Sequence, residues 1–271
     1  MINVTKGKKI GAYTFLIVVS FISAFPLYWM LVAATNKSVD VSRGTLLFGT
    51  ALWDNGEKLL SSQNVSSALF NSFRYSVTMT ALSLFICSLA GYGFEVFHNK
   101  AKDRVMTLIL LAMMVPFAAT MIPLYKMFSK AGLLNSTLGF ILPTISTPFL
   151  IMMFRQSARS FPVDIMEAAR LDGLTEFQIF YRMFVPTMRS NYAAAMTITF
   201  MNAWNSYLWP KVIMSDAKSI TMPMLVANLT EGYVTDYGTL MLAVLICTIP
   251  TVIIFFILQK SFAEGITGAV K

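Results

Sequence analysis

Charge is what this chain has least of. Only 13% of its 271 residues are Asp, Glu, Lys or Arg, while 56% are hydrophobic; a typical soluble domain carries roughly 25% charged residues. That balance excludes an ordinary soluble globule. There are two cysteines, Cys87 and Cys247, each inside an apolar run and distant in sequence, which argues against a disulfide framework or a Cys-based metal site. The single histidine, His98, stands beside Asn99 and Lys100 with no further ligand at metal-binding spacing. The phosphate-cradling G-x-x-x-x-G-K-[ST] loop is missing, since Gly7-Lys8 is the only Gly-Lys pair and lacks an upstream glycine. Zinc-protease and nucleophile-elbow spacings are missing as well. The chain reads as a non-enzyme with no catalytic residue, metal or cofactor of its own.

What is present is a set of six long apolar runs, near residues 10–34, 72–94, 105–124, 137–154, 192–209 and 237–258. A hydrocarbon core of about 30 Å takes about 20 helical residues. The runs lack the alternation of barrel strands, so internal satisfaction of the backbone leaves only helices. The predicted fold class is all-α, a polytopic membrane bundle of six transmembrane helices. Thirteen of the 21 basic residues, among them Lys6, Lys9, Lys100, Arg155, Arg170, Arg189 and Lys260, fall on one side of that arrangement and eight on the other. The positive-inside rule then puts both termini in the cytoplasm. Because the bases are scattered between spans, the net charge of +8 speaks for membrane orientation and against nucleic acid. The first run is too long for a signal-peptide core despite the small residues Val32-Ala33-Ala34, so it is read as a retained span.

No Asp, Glu, Lys or Arg lies in the interior of these runs; Arg74 and Glu95 mark the ends of the second. Ion-coupled carriers relay charge through ionisable groups at membrane depth. A chain without them needs another source of energy.

The stretch 155–189 has unusually complete helix-boundary signals. Pro162 suits a first turn, Asp164 and Glu167 put negative charge near the positive end, and Arg170 suits the last turn. Gly173 then supplies a left-handed stop. Thr175-Glu176-Phe177-Gln178 is a capping box opening a second helix. Phe177, Phe180, Tyr181 and Phe184 make an apolar stripe on it, and Pro186 closes it. This patterning fits a helical bend whose small Ala168 and Ala169 admit a docking partner. It fits equally an interfacial helix pair with its aromatic stripe in the headgroups.

Glu167-Ala168-Ala169-Arg170-Leu171-Asp172-Gly173, continuing through Phe177, Ile179, Phe180 and Val185-Pro186, resembles the EAA loop of binding-protein-dependent ABC transporter permeases. Ala203-Trp204-Asn205-Ser206-Tyr207-Leu208-Trp209-Pro210, Ile249-Pro250, Gln259-Lys260 and the tail from Glu264 to Lys271 are similar to the maltose-type, MalG-like branch of carbohydrate permeases. Leu174, Val185 and Ser190 depart from that pattern at its rim. The resemblance covers nearly the whole chain and implies an ABC type I importer permease fold in a bacterial or archaeal cell membrane. It implies partners: a second, MalF-like permease subunit, two ATP-binding subunits that hold the ATP and Mg, and an extracytoplasmic sugar-binding protein. It implies that Glu167, Ala168, Ala169, Asp172 and Gly173 seat on an ATPase. Gly265, Gly268 and Lys271 of the tail would meet the ATPases too. In domain terms it gives a first helix and external segment at 1–70, a permease core at 71–260 and a cytoplasmic tail at 261–271.

The fifth run is the most polar. Thr199, Asn202, Asn205 and Ser206, with the aromatic Trp204 and Tyr207, are candidates for a sugar path, which needs neutral hydrogen-bonding groups and flat apolar surfaces. The same residues also suit helix packing and interfacial anchoring. The expected cargo is a di- or oligosaccharide. A glycerol-phosphate-type solute is the second reading, and an ion-coupled secondary carrier a distant third.

Overall fold

The computed structural model describes residues 6–268, with side chains described from 9 to 259. Helices α1 (Lys6–Ala34), α2 (Ser38–Ser42), α3 (Leu52–Ser62), α4 (Val65–Val96), α5 (Lys100–Ala112), α6 (Phe117–Lys130), α7 (Thr137–Ile141) and α8 (Pro148–Arg159) come first. There follow α9 (Val163–Leu171), α10 (Glu176–Ile179), a π-helical turn at Phe180–Phe184, and α11 (Val185–Thr187). The chain ends with α12 (Arg189–Trp204), α13 (Leu208–Ile213), a short 3-10 turn at Ala217–Ser219, α14 (Met222–Asn228) and α15 (Tyr237–Gly268). No strand occurs among the described residues, so the all-helical class holds.

Three helices are continuous, long and apolar enough to cross a bilayer: Lys9–Ala34, Val65–Val96 and Tyr237–Gln259. The other three expected runs are interrupted, the first two of them for a local reason. The run at 105–124 becomes α5 and α6, bent by 98°; Pro116 has no amide to donate and pushes Val115 out of the helical region. The run at 137–154 becomes α7 and α8, because the Thr147 side chain accepts the Leu150 amide and Pro148 takes the first helical position, starting a new helix. The run at 192–209 breaks at 205–207, between α12 and α13.

The chain folds as two compact units. Residues up to Val65 together with Leu225–Ile249 form one, and Ser66–Met224 with the stretch from Pro250 form the other. In the first, the buried Asn55 on α3 donates to the carbonyls of Ala34 at 2.9 Å and Asn36 at 3.0 Å, satisfying the open end of α1. Lys58 pairs with Asp236 at 2.9 Å across an exposed surface, and Ser38 accepts the Tyr237 amide at 3.0 Å. Most of α1 is bare: Phe15, Phe21 and Ile22 are exposed, as lipid or a partner helix requires.

In the second unit α4 is the spine. Tyr75 and Met79 pack with Phe140, Trp209 and Ile213. Lower on the same helix Leu84 and Cys87 join Met106, Ile151 and Phe154. Tyr92 closes over Phe161, Phe180 and Phe184. Polar side chains on α4 pin loops to it: Ser72 accepts the Met222 amide at 2.7 Å, and Asn71 donates to the Lys218 and Ile220 carbonyls. The Trp209 indole donates to the Gly139 carbonyl at 2.9 Å, which makes burial of its N–H affordable.

Candidate functional site

Two features of the second unit carry chemistry or mechanics. The first is the bend from α9 to α11. Gly173 sits at φ +79°, and the amides of Gly173 and Leu174 return to the carbonyls of Arg170 and Ala169 at 3.1 and 3.0 Å. This Schellman arrangement ends α9 and satisfies its last carbonyls. Thr175 and Gln178 close the expected capping box. Arg170 pairs with Glu176 at 2.7 Å across the turn, one more fastening between the two arms.

The bend is anchored from one side only. Met166, Ala169, Ile179, Phe180 and Phe184 are buried together with Tyr92 and Phe161, and the Tyr92 ring lies 5.3 and 5.1 Å from those of Phe180 and Phe184. The other side is bare: Leu171 is 90% exposed, Tyr181 67% and Phe177 57%, beside exposed Glu167, Ala168 and Asp172. Of the alanine pair only Ala168 is free to meet a partner, because Ala169 is consumed by the chain's own core. The expected second helix is also not one regular helix. Its middle is the π-helical turn Phe180–Phe184; Phe180 and Phe184 lie inward, and Phe177 and Tyr181 stay outside.

Arg155, at the start of this region, ties three helix ends. Its guanidinium donates to Glu95 at 3.0 Å and to Asp103 at 2.7 Å, Arg159 reaches Glu95 at 3.1 Å, and His98 meets Asp103 at 2.9 Å. The planar fork of arginine allows it to hold two carboxylates at once. The hydrogen bond from Arg155 holds the Asp103 carboxyl below the usual carboxylate range. A depressed folded-state pKa means that this link is in place above the ordinary value and is lost as pH falls below about 4. Replacing Arg155 by leucine is expected to lower the thermal unfolding midpoint, because it removes the guanidinium that Glu95 and Asp103 share. Thermal unfolding of the detergent-extracted protein would measure it; lysine at 155 should restore only part, and an unchanged midpoint for leucine would show that the cluster fastens nothing.

The second feature is a cavity of about 650 Å³, within the usual range for small-molecule sites. Two helix interruptions converge on it: Thr144 and Thr147 from the α7–α8 break, and Asn205, Ser206 and Tyr207 from the α12–α13 break. Thr199 and Asn202 of α12 and the rings of Phe117 and Phe149 complete the wall, and no charged side chain lines it. Thr199 is 3% exposed, and its hydroxyl finds no partner, unlike Thr197, which donates to the Ala193 carbonyl one turn back.

Five of the six sequence candidates for a sugar path thus share one cavity. The sixth, Trp204, turns away, 2% exposed and stacked on Phe200. Sequence reading passed over Thr144 and Thr147, although Pro143 and Pro148 on either side of Thr144-Ile145-Ser146-Thr147 were a break signal. Gly265 and Gly268 fall in the last turns of α15, beyond the described side chains, and Lys271 lies outside the described residues. Among the described residues no three His, Cys, Asp or Glu side chains gather as a metal site would require.

Comparison with known proteins gives a consistent result. A family model for the binding-protein-dependent transport system inner membrane component matches residues 88–268. The lactose transport system permease protein LacG of Rhizobium radiobacter is 44% identical over 96% of this chain and 95% of its own length. The arabinooligosaccharides transport system permease protein AraQ of Bacillus subtilis is 32% identical over 97% and 96%. The sn-glycerol-3-phosphate transport system permease protein UgpE of Yersinia pestis is 29% identical over the whole of both chains. Among solved structures, a chain of a bacterial ABC transporter involved in import of the acidic polysaccharide alginate superposes with TM-score 0.82 over 97% of this chain and 100% of that one, at 18% identity. The MetNI methionine ABC transporter gives TM-score 0.56 over 72% and 93%, at 17% identity.

Proposed function

This chain belongs to the family of binding-protein-dependent transport system inner membrane components, and from that premise we propose that it is a transmembrane gate of an ATP-driven carbohydrate importer. The observation that carries the reading is the bend at Gly173: rigidly anchored on one face through Tyr92, and on the other presenting Leu171, Phe177 and Tyr181 to solvent. Exposed apolar surface of this kind on a rigid turn is what a docking partner covers.

The partner is an ATP-binding subunit on the cytoplasmic side, and Glu167, Ala168, Asp172 and Gly173 are the residues it grips. Ala169 serves by holding the bend to α4. ATP and Mg reside on two such subunits, a second permease chain completes the pathway, and an extracytoplasmic binding protein delivers the sugar. Six membrane crossings, with α5–α6, α7–α8 and α12–α13 as interrupted ones, leave both termini in the cytoplasm, where Gly265, Gly268 and Lys271 reach the ATPases. Closure of the ATPases does work on the gate only through contacts that differ between its two states, and the anchored bend is where those contacts are made.

Carbohydrate is preferred over a phosphate ester because the relatives at 44% and 32% identity transport lactose and arabinooligosaccharides, and because the cavity wall offers no cation to an anionic cargo. The glycerol-phosphate reading is kept by the relative at 29% identity. The test is uptake by proteoliposomes holding the whole complex, offered labelled lactose, arabinotriose and sn-glycerol 3-phosphate with and without internal ATP. ATP-dependent accumulation of a saccharide is expected. Accumulation by the lone chain without ATP, or of the phosphate ester alone, would overturn the proposal.

A further inference from the structure

We propose that the cavity between the two helix breaks is a saccharide subsite belonging to this chain itself, in which the Asn202 and Asn205 amides bind hydroxyls of a neutral sugar ring. The proposal rests on the importer reading and adds to it where cargo is contacted. Three observations point the same way.

Two helix breaks, 142–147 and 205–207, open on the same space, so that polar side chains from two separate parts of the chain meet on one wall. The wall is polar without charge. Amides and hydroxyls from Thr144, Asn202, Asn205 and Ser206 share it with the rings of Phe149 and Tyr207. Neutral donors and acceptors beside flat apolar surface match a sugar, whose hydroxyls ring an apolar C–H face; they give a phosphate no cation to pair with. Finally, the wall is left polar at a cost. Thr199 is buried with an unpartnered hydroxyl, where Val would have packed as well without that penalty.

The experiment uses the complete complex in proteoliposomes, with lactose and sn-glycerol 3-phosphate as probes. Asn202 and Asn205 both line the cavity and are exposed, so Asn202→Leu and Asn205→Leu should leave the complex assembled while lowering lactose uptake at least tenfold. Asn202→Arg supplies the missing cation and should raise the ratio of sn-glycerol 3-phosphate to lactose uptake at least tenfold, a change that a merely structural residue would not produce. Lactose uptake and probe ratio within twofold of the parent in all three variants would overturn the subsite and show the space to be filled by the companion permease. Absence of ATP-dependent uptake of lactose and of arabinotriose alike by the parent complex would instead sink the importer reading, and the subsite with it.

Discussion

Replacing Gly173 by valine is expected to cut sugar-stimulated ATP hydrolysis and uptake by the assembled complex at least tenfold, whereas asparagine at the same position should cost no more than threefold. The argument is purely one of backbone geometry. Gly173 lies at φ +79°, and a Cβ built there meets nothing within 4 Å, so bulk as such is harmless. An L-residue in the left-handed region costs about 1–2 kcal/mol, more when β-branched, while asparagine visits that region readily. Valine therefore pays by leaving the conformation. The amides of Gly173 and Leu174 then lose the carbonyls of Arg170 and Ala169, and Thr175 no longer begins the second arm at the same angle. A shift of that kind misplaces Leu171 and Phe177 relative to each other, and a docking face made of both is spoiled. Normal coupling in the valine variant would mean that the bend is not where the ATPase holds the chain.

The second large effect is expected from Gly91. A Cβ there would stand 2.6 Å from the Arg155 amide nitrogen, 2.7 Å from the Ile151 carbonyl oxygen and 2.7 Å from the Phe154 Cβ. These are mostly backbone atoms of α8, which cannot swing aside as the tip of a side chain can. Alanine at 91 forces α4 and α8 apart, opens the packing of Cys87 and Phe154 and strains the Arg155 bonds to Glu95 and Asp103. The expected cost is about 3 kcal/mol, read as a lower midpoint for heat inactivation in detergent. Gly93 is the control: a Cβ there meets nothing within 4 Å, so alanine at 93 should be neutral or slightly stabilising. If the two variants behave alike, the close approach of α4 to α8 does not hold the unit together. If they differ as expected, the close approach at Gly91 is what holds α4 against α8.

Much of the bend was legible from single residues, because helix caps and left-handed glycines are set by near neighbours. Gly173 as a stop, the Thr175–Gln178 capping box and Arg170 at a helix end each depend on atoms within a few positions. The fate of the alanine pair was not legible. Ala168 and Ala169 are chemically identical neighbours, and only the position of Tyr92 and Phe161, from elsewhere in the chain, decides that Ala169 is the one buried. The same holds for Trp204. Its position in a polar run suggested a sugar platform, yet rotation along α12 turns it against Phe200 and away from the cavity.

By itself the amino-acid order determined a helical membrane protein of this permease family with an exposed, capped bend, since transfer of apolar side chains out of water and local capping are properties of short stretches. Only the tertiary structure decided that two of the helix breaks share a cavity, and that Arg155 gathers Glu95 and Asp103. Those outcomes depend on which helices approach each other, and a sum over neighbouring residues contains no information about groups that meet only after the chain has folded.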